Sequence, residues 1–378
     1  MALTPDFATY PLVPVLAVTG GERWLDVSWV SGHVSRYHYV WLRDNCPCPA
    51  CVHQVTKEQT FEILGVAGDL RPVAAPDSVA VTWPDGHVSV FDPGWLLAHC
   101  YCDDCRSVTD DLVEWDASLG SPPTFSGPAV LSDDAALLEW LLSLRRYGCS
   151  LLRDVPCDLD AVGRVAGRIG IVRETNFGVL WDVWAEPDPI TNANTALLLP
   201  PHVDLPTREY QPGLQLLHCI ENEAAGGESI LVDGYRLASA VRVEHPDYYA
   251  TLTTVPWNWA NRSKTSDYRW TAPIIGLSPT GRVSEVRMGN WLRAPLVDVA
   301  FHQVEAAYEA YRCIFAMAYE ERFQLRFRLE PGDLMAFDNR RILHARGAFT
   351  DTIGRRHLRG CYTERDELKS RIRMLRRR

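Results

Sequence analysis

Short stretches in which apolar and polar residues alternate dominate the first 110 residues. They include residues 24–30, 33–41 and 78–81, and glycine and proline interrupt the series. Alternation with a period of two is typical of half-buried strands. The sequence WPDGH at residues 83–87 is typical of a turn between two of them. The pattern therefore predicts a small antiparallel β domain over residues 1–110.

A helical period replaces this alternation after residue 130. Ser132, followed by two aspartates, is a suitable helix start, and leucine and tryptophan recur until Gly148, a suitable helix end. Further along, the pattern predicts two buried strands at residues 214–220 and 228–232 and a helix at residues 304–323. It then predicts a turn at residues 331–333 and a last strand at residues 357–363. This part is therefore expected to be mainly β with flanking helices, an α+β fold.

The length of 378 residues favours two domains, because a single hydrophobic core stops growing at about 250–300 residues. Residues 111–130 gain serine, aspartate, glycine and proline, which is typical of an interdomain connection. We therefore expect a linker at residues 111–130 and a second domain over residues 131–378.

The net charge of −10 argues against a nucleic-acid-binding protein, since phosphate binding needs a concentrated positive surface. The basic run at residues 371–378 is too short to change this. No apolar stretch approaches the roughly 20 residues of a membrane-spanning helix, and residues 1–19 lack the basic start of a secretory signal. We expect a cytoplasmic protein that binds neither nucleic acid nor membranes.

Eleven cysteines, an odd number, do not suit a complete disulfide framework. Six of them form two groups with the same C-x-C-x-x-C spacing, Cys46, Cys48, Cys51 and Cys100, Cys102, Cys105. In a reducing compartment this spacing favours metal ligation.

A different set of candidate metal ligands lies in the second part of the chain. His202 and Asp204 are two residues apart in PPHVDLP, so on an extended strand both side chains point to the same side. FDNRRILHARGAF adds His344 after an apolar strand. Two histidines and one carboxylate on one face of an octahedron leave three open positions, as a ferrous oxygenase needs for a bidentate oxoacid and dioxygen. We interpret the three residues as iron(II) ligands.

Arg356 supports this interpretation, because an isolated H-x-D sequence is common by chance. It lies 12 residues after His344, in GRRHLRGCY, on a strand that would return beside the first. A guanidinium grips a carboxylate through two parallel hydrogen bonds, so Arg356 suits the distal carboxylate of 2-oxoglutarate. The alternative for this arginine and its neighbours is a solvated basic strand edge.

Seven motifs give the chain its resemblance to the γ-butyrobetaine hydroxylase and trimethyllysine hydroxylase family of iron(II)- and 2-oxoglutarate-dependent oxygenases. They are WLRDNCPCPAC (41–51), WPDGH (83–87), HVD (202–204), PGLQLLHCIEN (212–222), GGESILVDG (226–234), FDNRRILHAR (337–346) and RHLRGCYTERD (356–366). The resemblance covers nearly the whole chain. It implies a double-stranded β-helix (jelly-roll) catalytic domain behind an N-terminal zinc-binding β domain, and a homodimer. It also implies that dioxygen is a co-substrate and that succinate and carbon dioxide are released.

The resemblance further implies a structural zinc site formed by Cys46, Cys48, Cys51 and His87. The second cysteine group, which lies beside His99, has no counterpart in the family. It could be a second zinc site, an alternative ligand set or buried thiols near the domain boundary. Buried thiols are favoured because no fourth ligand is evident.

Members of this family hold a trimethylammonium group among aromatic rings, whose faces attract a quaternary cation. The matching positions are Phe177, Trp181 and Tyr362, although each aromatic residue could equally belong to the core. Asn194 stands where the family has a fourth ring. The anionic end of the substrate is expected at Asn290 and at Thr191 or Asn192.

The resemblance implies hydroxylation of a small trimethylammonium acid, γ-butyrobetaine or a close analogue. The changes in the pocket keep 2-(trimethylammonio)ethylphosphonate and trimethyllysine as alternatives. A phosphonate dianion would favour additional hydrogen-bond donors, and the candidates are the basic residues Arg262, Lys264, Arg269, Arg287 and Arg293. A metal-binding sensory module without turnover would not need Arg356, and a structural zinc scaffold explains only the N-terminal quarter.

Overall fold

The computed structural model describes residues 3–66, 68–75, 78–106, 111–184, 194–263, 265–350 and 355–377. The chain divides into two compact units, Met1–Asp110 and Asp111–Arg376. Within the described ranges, no helix is both long and apolar enough to cross a membrane.

The N-terminal unit contains two small antiparallel sheets of three strands each. The strands are β1 (Val15–Gly20), β2 (Trp24–Trp29), β3 (Val34–His38), β4 (Val73–Ala74), β5 (Ala80–Thr82) and β6 (Val88–Val90), and the helices are α1 (Tyr39–Asp44), α2 (Pro93–Ala98) and α3 (Asp103–Arg106). Buried aliphatic and aromatic residues, among them Trp29 and Trp83, form its core. The strand predicted at residues 33–41 ends at His38, because the chain turns there into α1.

The second unit holds most of the strands and the long helices. Its elements are β7 (Thr124–Ser126), α4 (Gly127–Ser132), α5 (Asp134–Tyr147), β8 (Cys149–Arg153), α6 (Ala161–Ile169), β9 (Val172–Arg173), β10 (Trp181–Val183), β11 (Leu199–His202), β12 (Leu214–Asn222), β13 (Ala225–Gly226), β14 (Ser229–Asp233), α7 (Gly234–Glu244), α8 (Pro246–Thr254), β15 (Trp257–Arg262), β16 (Asp267–Ala272), β17 (Ile275–Leu277), β18 (Val283–Val286), α9 (Val304–Tyr319), β19 (Gln324–Phe327), β20 (Leu334–Asp338), β21 (Ile342–Arg346), β22 (Phe349–Thr350), β23 (Arg356–Thr363) and α10 (Arg365–Arg376).

Two sheets form the centre of this unit. The larger has the order β10-β23-β12-β20-β8-β7, with β9 also paired to β23, and the smaller has the order β11-β21-β14-β19. Their apolar residues share one buried cluster, which includes Leu217 and Phe337 from the larger sheet and Leu231 and Ile342 from the smaller. In chain order, β11, β12 and β14 alternate between the two sheets, and so do β19, β20, β21 and β23, as in a jelly roll. The predicted α+β jelly-roll fold is confirmed.

Residues 111–130, for which we expected a linker, belong to the second unit. Trp115 is buried, and its indole N–H donates a hydrogen bond to the backbone oxygen of Tyr147 at 2.6 Å. The same segment contributes β7, which pairs in parallel with β8. The polar composition of residues 111–130 therefore did not distinguish an interdomain linker from a segment that packs against the second unit.

Candidate active site

The pairing of β11 with β21 brings His202 and His344 together. The two residues lie directly opposite each other in the antiparallel register, and their ring centroids are 4.0 Å apart. One Asp204 carboxylate oxygen, Oδ1, lies 3.2 Å from Nε2 of His202 and 3.8 Å from Nε2 of His344. All three predicted iron ligands therefore meet at one point, with ligand atoms within 4.8 Å of one another.

A buried asparagine fixes the backbone of Asp204. Asn339 accepts a hydrogen bond from the Asp204 backbone N–H at 2.7 Å and donates from its amide to the Asp204 backbone oxygen at 2.9 Å. Leu205, the next residue, has a positive φ of 53°, which is uncommon for a residue with a side chain. Such strain persists only where surrounding contacts hold it, and Asn339 supplies two of them.

Hydrogen bonds also orient the ligand side chains. Nδ1 of His202 donates to the Pro200 backbone oxygen at 2.9 Å, which leaves Nε2 free to bind a metal. The Tyr362 hydroxyl donates to Oδ2 of Asp204 at 2.7 Å, so Oδ1 remains for the position between the two histidines. Partners of this kind fix the direction of metal ligands.

The protonation states suit a divalent metal, which binds neutral imidazoles and carboxylates. Burial, with the neighbouring His202, lowers the pKa of His344 to about 3, so its ring is neutral near pH 7. Burial alone would raise the pKa of Asp204. The nearby imidazoles and the Tyr362 hydroxyl outweigh burial and hold the pKa of this carboxyl well below its usual value.

Arg356 is the first residue of β23 and lines the cavity that also contains the three ligands. It is only 7% exposed, and Nε and Nη1 are buried without a hydrogen-bond partner among the described residues. Burial lowers the pKa of Arg356 to about 10, so the side chain remains charged at neutral pH. Burying a cation with unused hydrogen-bond donors costs free energy unless an anion pairs with it. Such an anion would lie in the cavity.

Sequence reasoning missed Arg346, which also lines the cavity. It lies two residues after His344, so both side chains are on the same side of β21. Nη2 of Arg346 donates to the backbone oxygens of Thr195 and Leu197 at 2.5 and 2.8 Å. The HAR sequence could have identified it by the same two-residue spacing that links His202 and Asp204. Other cavity residues that were missed are Asp182, Gln215 and Ser229.

The aromatic residues predicted for the substrate line the same cavity. Trp181 and Tyr362 are 5.2 Å apart between ring centroids, and Phe177 contributes a third ring. Asn194 also lines the cavity and is buried. Thr191 and Asn192 lie outside the described residues. Tyr362 therefore contributes both a ring to the cavity and a hydroxyl to Asp204.

Asn290, expected at the anionic end of the substrate, is not among the residues that line this cavity in the described parts of the chain. It is exposed, and its side-chain oxygen accepts a hydrogen bond from Nη2 of Arg293 at 2.6 Å. The neighbouring Trp291 instead approaches the metal ligands, with its ring 4.6 Å from that of His202. Position in the motif did not reveal which of these two residues points inward.

The described arginines among the candidate phosphonate donors form other contacts. Arg287 is buried and donates to three backbone oxygens of the loop after Asp204, those of Pro206, Arg208 and Glu209. Arg262 and Arg269 form exposed ion pairs with Asp267. Lys264 lies outside the described residues. Arg287 therefore holds the loop in place rather than facing the cavity.

In the N-terminal unit, the four residues expected to bind zinc form one cluster. Nε2 of His87 lies 3.2, 3.6 and 3.7 Å from the sulfurs of Cys46, Cys48 and Cys51, respectively. Three thiols and one imidazole at this separation could hold one tetrahedral metal ion.

Two family models match the chain. Residues 109–362 match "Taurine catabolism dioxygenase TauD, TfdA family", and residues 17–75 match "Gamma-butyrobetaine hydroxylase-like, N-terminal". The γ-butyrobetaine dioxygenase of Pseudomonas sp. (strain AK-1) is 45% identical over 98% of this chain and 99% of its own length. The human γ-butyrobetaine dioxygenase is 30% identical over 95% of this chain and 96% of its own length.

More distant similarities agree with these. The mitochondrial trimethyllysine dioxygenase of Mus musculus is 29% identical over 91% of this chain and 84% of its own length. Among solved structures, asparagine oxygenase superposes with a TM-score of 0.50 at 20% identity, over 61% of this chain and 78% of that chain. The structural likeness supports the jelly-roll fold.

Proposed function

Because the chain belongs to the TauD, TfdA dioxygenase family, we propose that it hydroxylates an unactivated C–H bond of a small trimethylammonium acid, with γ-butyrobetaine as the preferred substrate. The reaction would consume 2-oxoglutarate and dioxygen and release succinate and carbon dioxide. The relative at 45% identity, a γ-butyrobetaine dioxygenase, supports this choice of substrate.

One observation carries the proposal. Arg356, a buried residue whose Nε and Nη1 have no hydrogen-bond partner among the described residues, lines the same cavity as His202, Asp204 and His344. A metal-binding module without turnover would need the ligands but not a buried guanidinium with unused donors. An oxoacid satisfies both features, because one end can chelate the metal while its distal carboxylate pairs with Arg356.

The residues present fit an iron(II) ion. His202, Asp204 and His344 would hold it, and the bound ion supplies the activation of dioxygen. Tyr362 fixes the Asp204 carboxylate through its hydroxyl, and Asn339 fixes the Asp204 backbone. Apolar residues of the cavity wall, Leu199, Leu217 and Leu358, limit the access of water. The protein thus contributes placement and exclusion of solvent rather than a general acid or base.

The trimethylammonium group would lie against Phe177, Trp181 and Tyr362. A quaternary cation cannot donate an N–H hydrogen bond, so the faces of aromatic rings are its best partners. These rings line the cavity that holds the metal ligands, which would present the substrate carbon to the iron. Because Asn194 stands where the family has a fourth ring, the side of the cavity at Asn194 is more polar than the side formed by the three rings.

Succinate release tests the substrate. The enzyme is reconstituted with iron(II) and 2-oxoglutarate, and γ-butyrobetaine, 2-(trimethylammonio)ethylphosphonate and trimethyllysine are added in separate reactions. We expect substrate-dependent succinate with γ-butyrobetaine. Succinate with the phosphonate or trimethyllysine alone would contradict this substrate while leaving the oxygenase chemistry intact.

Asp204→Ala tests the site itself, because it removes the carboxylate ligand. Substrate-dependent succinate should disappear in this variant. Asp247→Ala, which removes an exposed carboxylate on α8, is the matched control and should retain turnover. Retained turnover in Asp204→Ala would contradict the assignment of the iron ligands.

We also propose that Cys46, Cys48, Cys51 and His87 bind a structural zinc ion. Their four ligand atoms make a closed set with no position for a substrate, which is typical of structural rather than catalytic zinc. Loss of one thiolate should release this zinc and destabilise the small domain. Cys48→Ser should therefore lose one zinc per chain, whereas Cys157→Ser, which alters an exposed cysteine, should lose none.

A homodimer is proposed from the resemblance alone. Sedimentation at working concentration should give a dimer, and a clean monomer would contradict it.

A further inference from the structure

The second cysteine group has a fourth partner that is distant in sequence. Cys100, Cys102 and Cys105 converge on His33, which lies 67 residues before the first of them, in the turn between β2 and β3. One ligand atom from each of the four residues lies within 4.8 Å of all the others. His99, the neighbour considered from the sequence, is not in this cluster. Its Nδ1 bonds instead with the backbone oxygen of Trp95 at 2.7 Å.

The separations within the cluster match a tetrahedral zinc site. Nε2 of His33 lies 3.4, 3.9 and 3.6 Å from the sulfurs of Cys100, Cys102 and Cys105, respectively. Zinc bonds of about 2.3 Å to sulfur and about 2.0 Å to nitrogen, at tetrahedral angles, place nitrogen and sulfur about 3.5 Å apart. The corresponding distances at the proposed first site, 3.2 to 3.7 Å, span a similar range.

The surrounding contacts hold the two halves of the cluster in place. The Tyr37 hydroxyl donates to the Leu96 backbone oxygen at 2.5 Å, and the His38 backbone N–H donates to the Tyr101 hydroxyl at 2.7 Å. These bonds join β3 to the segment that carries the cysteines. The position of His33 over the thiols is therefore built into the fold of the N-terminal unit.

The cysteine segment also has a backbone arrangement that suits thiolates. The backbone N–H of Cys105 donates to the sulfur of Cys102 at 3.4 Å, so the C-x-x-C turn directs an amide at a sulfur. Cys100 is buried, whereas Cys102 and Cys105 are partly exposed. Only one of the three thiols is thus a core residue, which weakens the interpretation of the group as buried thiols.

We propose that His33, Cys100, Cys102 and Cys105 form a second structural zinc site in the N-terminal unit. Three thiolates and one imidazole complete a tetrahedron and leave no open position, so the ion serves stability and not catalysis. It would join the β2–β3 turn to the chain after α2, two parts of this small unit that are far apart in sequence. Such a cross-link stabilises this small unit by holding the two parts together.

Zinc release by a mercurial that modifies thiolates tests the proposal on the full-length protein, because it counts only zinc held by cysteine. We expect two zinc ions released per chain in the unaltered protein. His33→Ala and Cys102→Ser should each release one, and the double variant Cys48→Ser/Cys102→Ser should release none. His99→Ala and Cys157→Ser are the matched controls and should each release two.

Native mass spectrometry of the unaltered protein provides a measurement that does not depend on the folding of any variant. Two zinc ions that persist after the iron site has been emptied with a chelator would agree with the proposal. His33→Cys, which replaces one zinc ligand with another, should also keep two. One zinc in the unaltered protein, with no loss in Cys102→Ser, would overturn the second site.

Discussion

A single hydroxyl group determines how Asp204 presents its carboxylate. Tyr362 donates to Oδ2, and Oδ1 is then the oxygen that approaches both imidazoles. The same residue lines the proposed substrate cavity. The sequence suggested only the ring, because the family motif marks Tyr362 as an aromatic position and gives no sign of the hydrogen bond.

Tyr362→Phe separates these two roles, since it keeps the ring and removes the hydroxyl. Loss of a partner that orients a metal ligand weakens metal affinity by about 10–100-fold. We expect a loss of this size in iron(II) titrations, with the substrate KM nearly unchanged. Unchanged iron affinity together with a raised KM would instead assign the hydroxyl to substrate binding.

Gly360 provides the surface on which the Trp181 indole lies. A Cβ atom added at residue 360 would lie 2.4 Å from a carbon of that ring, which is well inside van der Waals contact. Gly360→Ala should therefore displace the indole and raise the substrate KM, while iron(II) affinity is retained. Gly167→Ala is the control, because a Cβ there meets nothing within 4 Å. An unchanged KM in Gly360→Ala would argue against a role of Trp181 in binding.

At the level of elements, local signals predicted several boundaries well. The α5 helix ends at Gly148 in the left-handed conformation with φ of 72°, as its position after the leucine run indicated. Its N-cap is Asp133 rather than Ser132, because the preceding short helix α4 extends to Ser132. The predicted helix at residues 304–323 is confirmed as α9, which ends four residues earlier than predicted, at Tyr319.

A buried ion pair joins β14 to the chain before β21. Arg341 is 1% exposed and donates from Nε and Nη2 to the two carboxylate oxygens of Asp233 at 3.0 and 2.7 Å. Asp233 also caps α7 through the backbone N–H of Tyr235. This pair supports the strand that carries His344, because residue 341 immediately precedes β21.

Arg341→Met should reduce the free energy of unfolding by about 3–5 kcal/mol, since it leaves the Asp233 carboxylate buried and unpaired. Arg322→Met breaks an exposed pair with Glu244 and should change it by about 1 kcal/mol or less. Denaturant unfolding of both variants measures the difference. Equal effects would show that the buried pair contributes no more than an exposed one.

At the level of the whole molecule, the motifs predicted the family, the fold and the class of enzyme, and all three are confirmed. The convergence of His202, Asp204 and His344, the three proposed metal ligands, could be predicted because a two-residue spacing and one distant histidine are strong signals. The pairing of His202 with His344 across β11 and β21 could not, since it depends on strand register. His33 was missed for the same reason, because only the folded hairpin brings it to the cysteines.

Binding of 2-oxoglutarate to the anaerobic iron(II) enzyme is the decisive test of the site formed by His202, Asp204, His344 and Arg356. Chelation of iron(II) by the oxoacid produces a visible charge-transfer absorption that can be titrated without turnover. We expect this absorption in the unaltered enzyme and none in Asp204→Ala. Arg356→Met should raise the Kd for 2-oxoglutarate at least roughly 30-fold, which corresponds to about 2 kcal/mol for a buried charge pair. Arg355→Met, an exposed neighbour, should leave it unchanged. A normal titration in Asp204→Ala or Arg356→Met would contradict the assigned site.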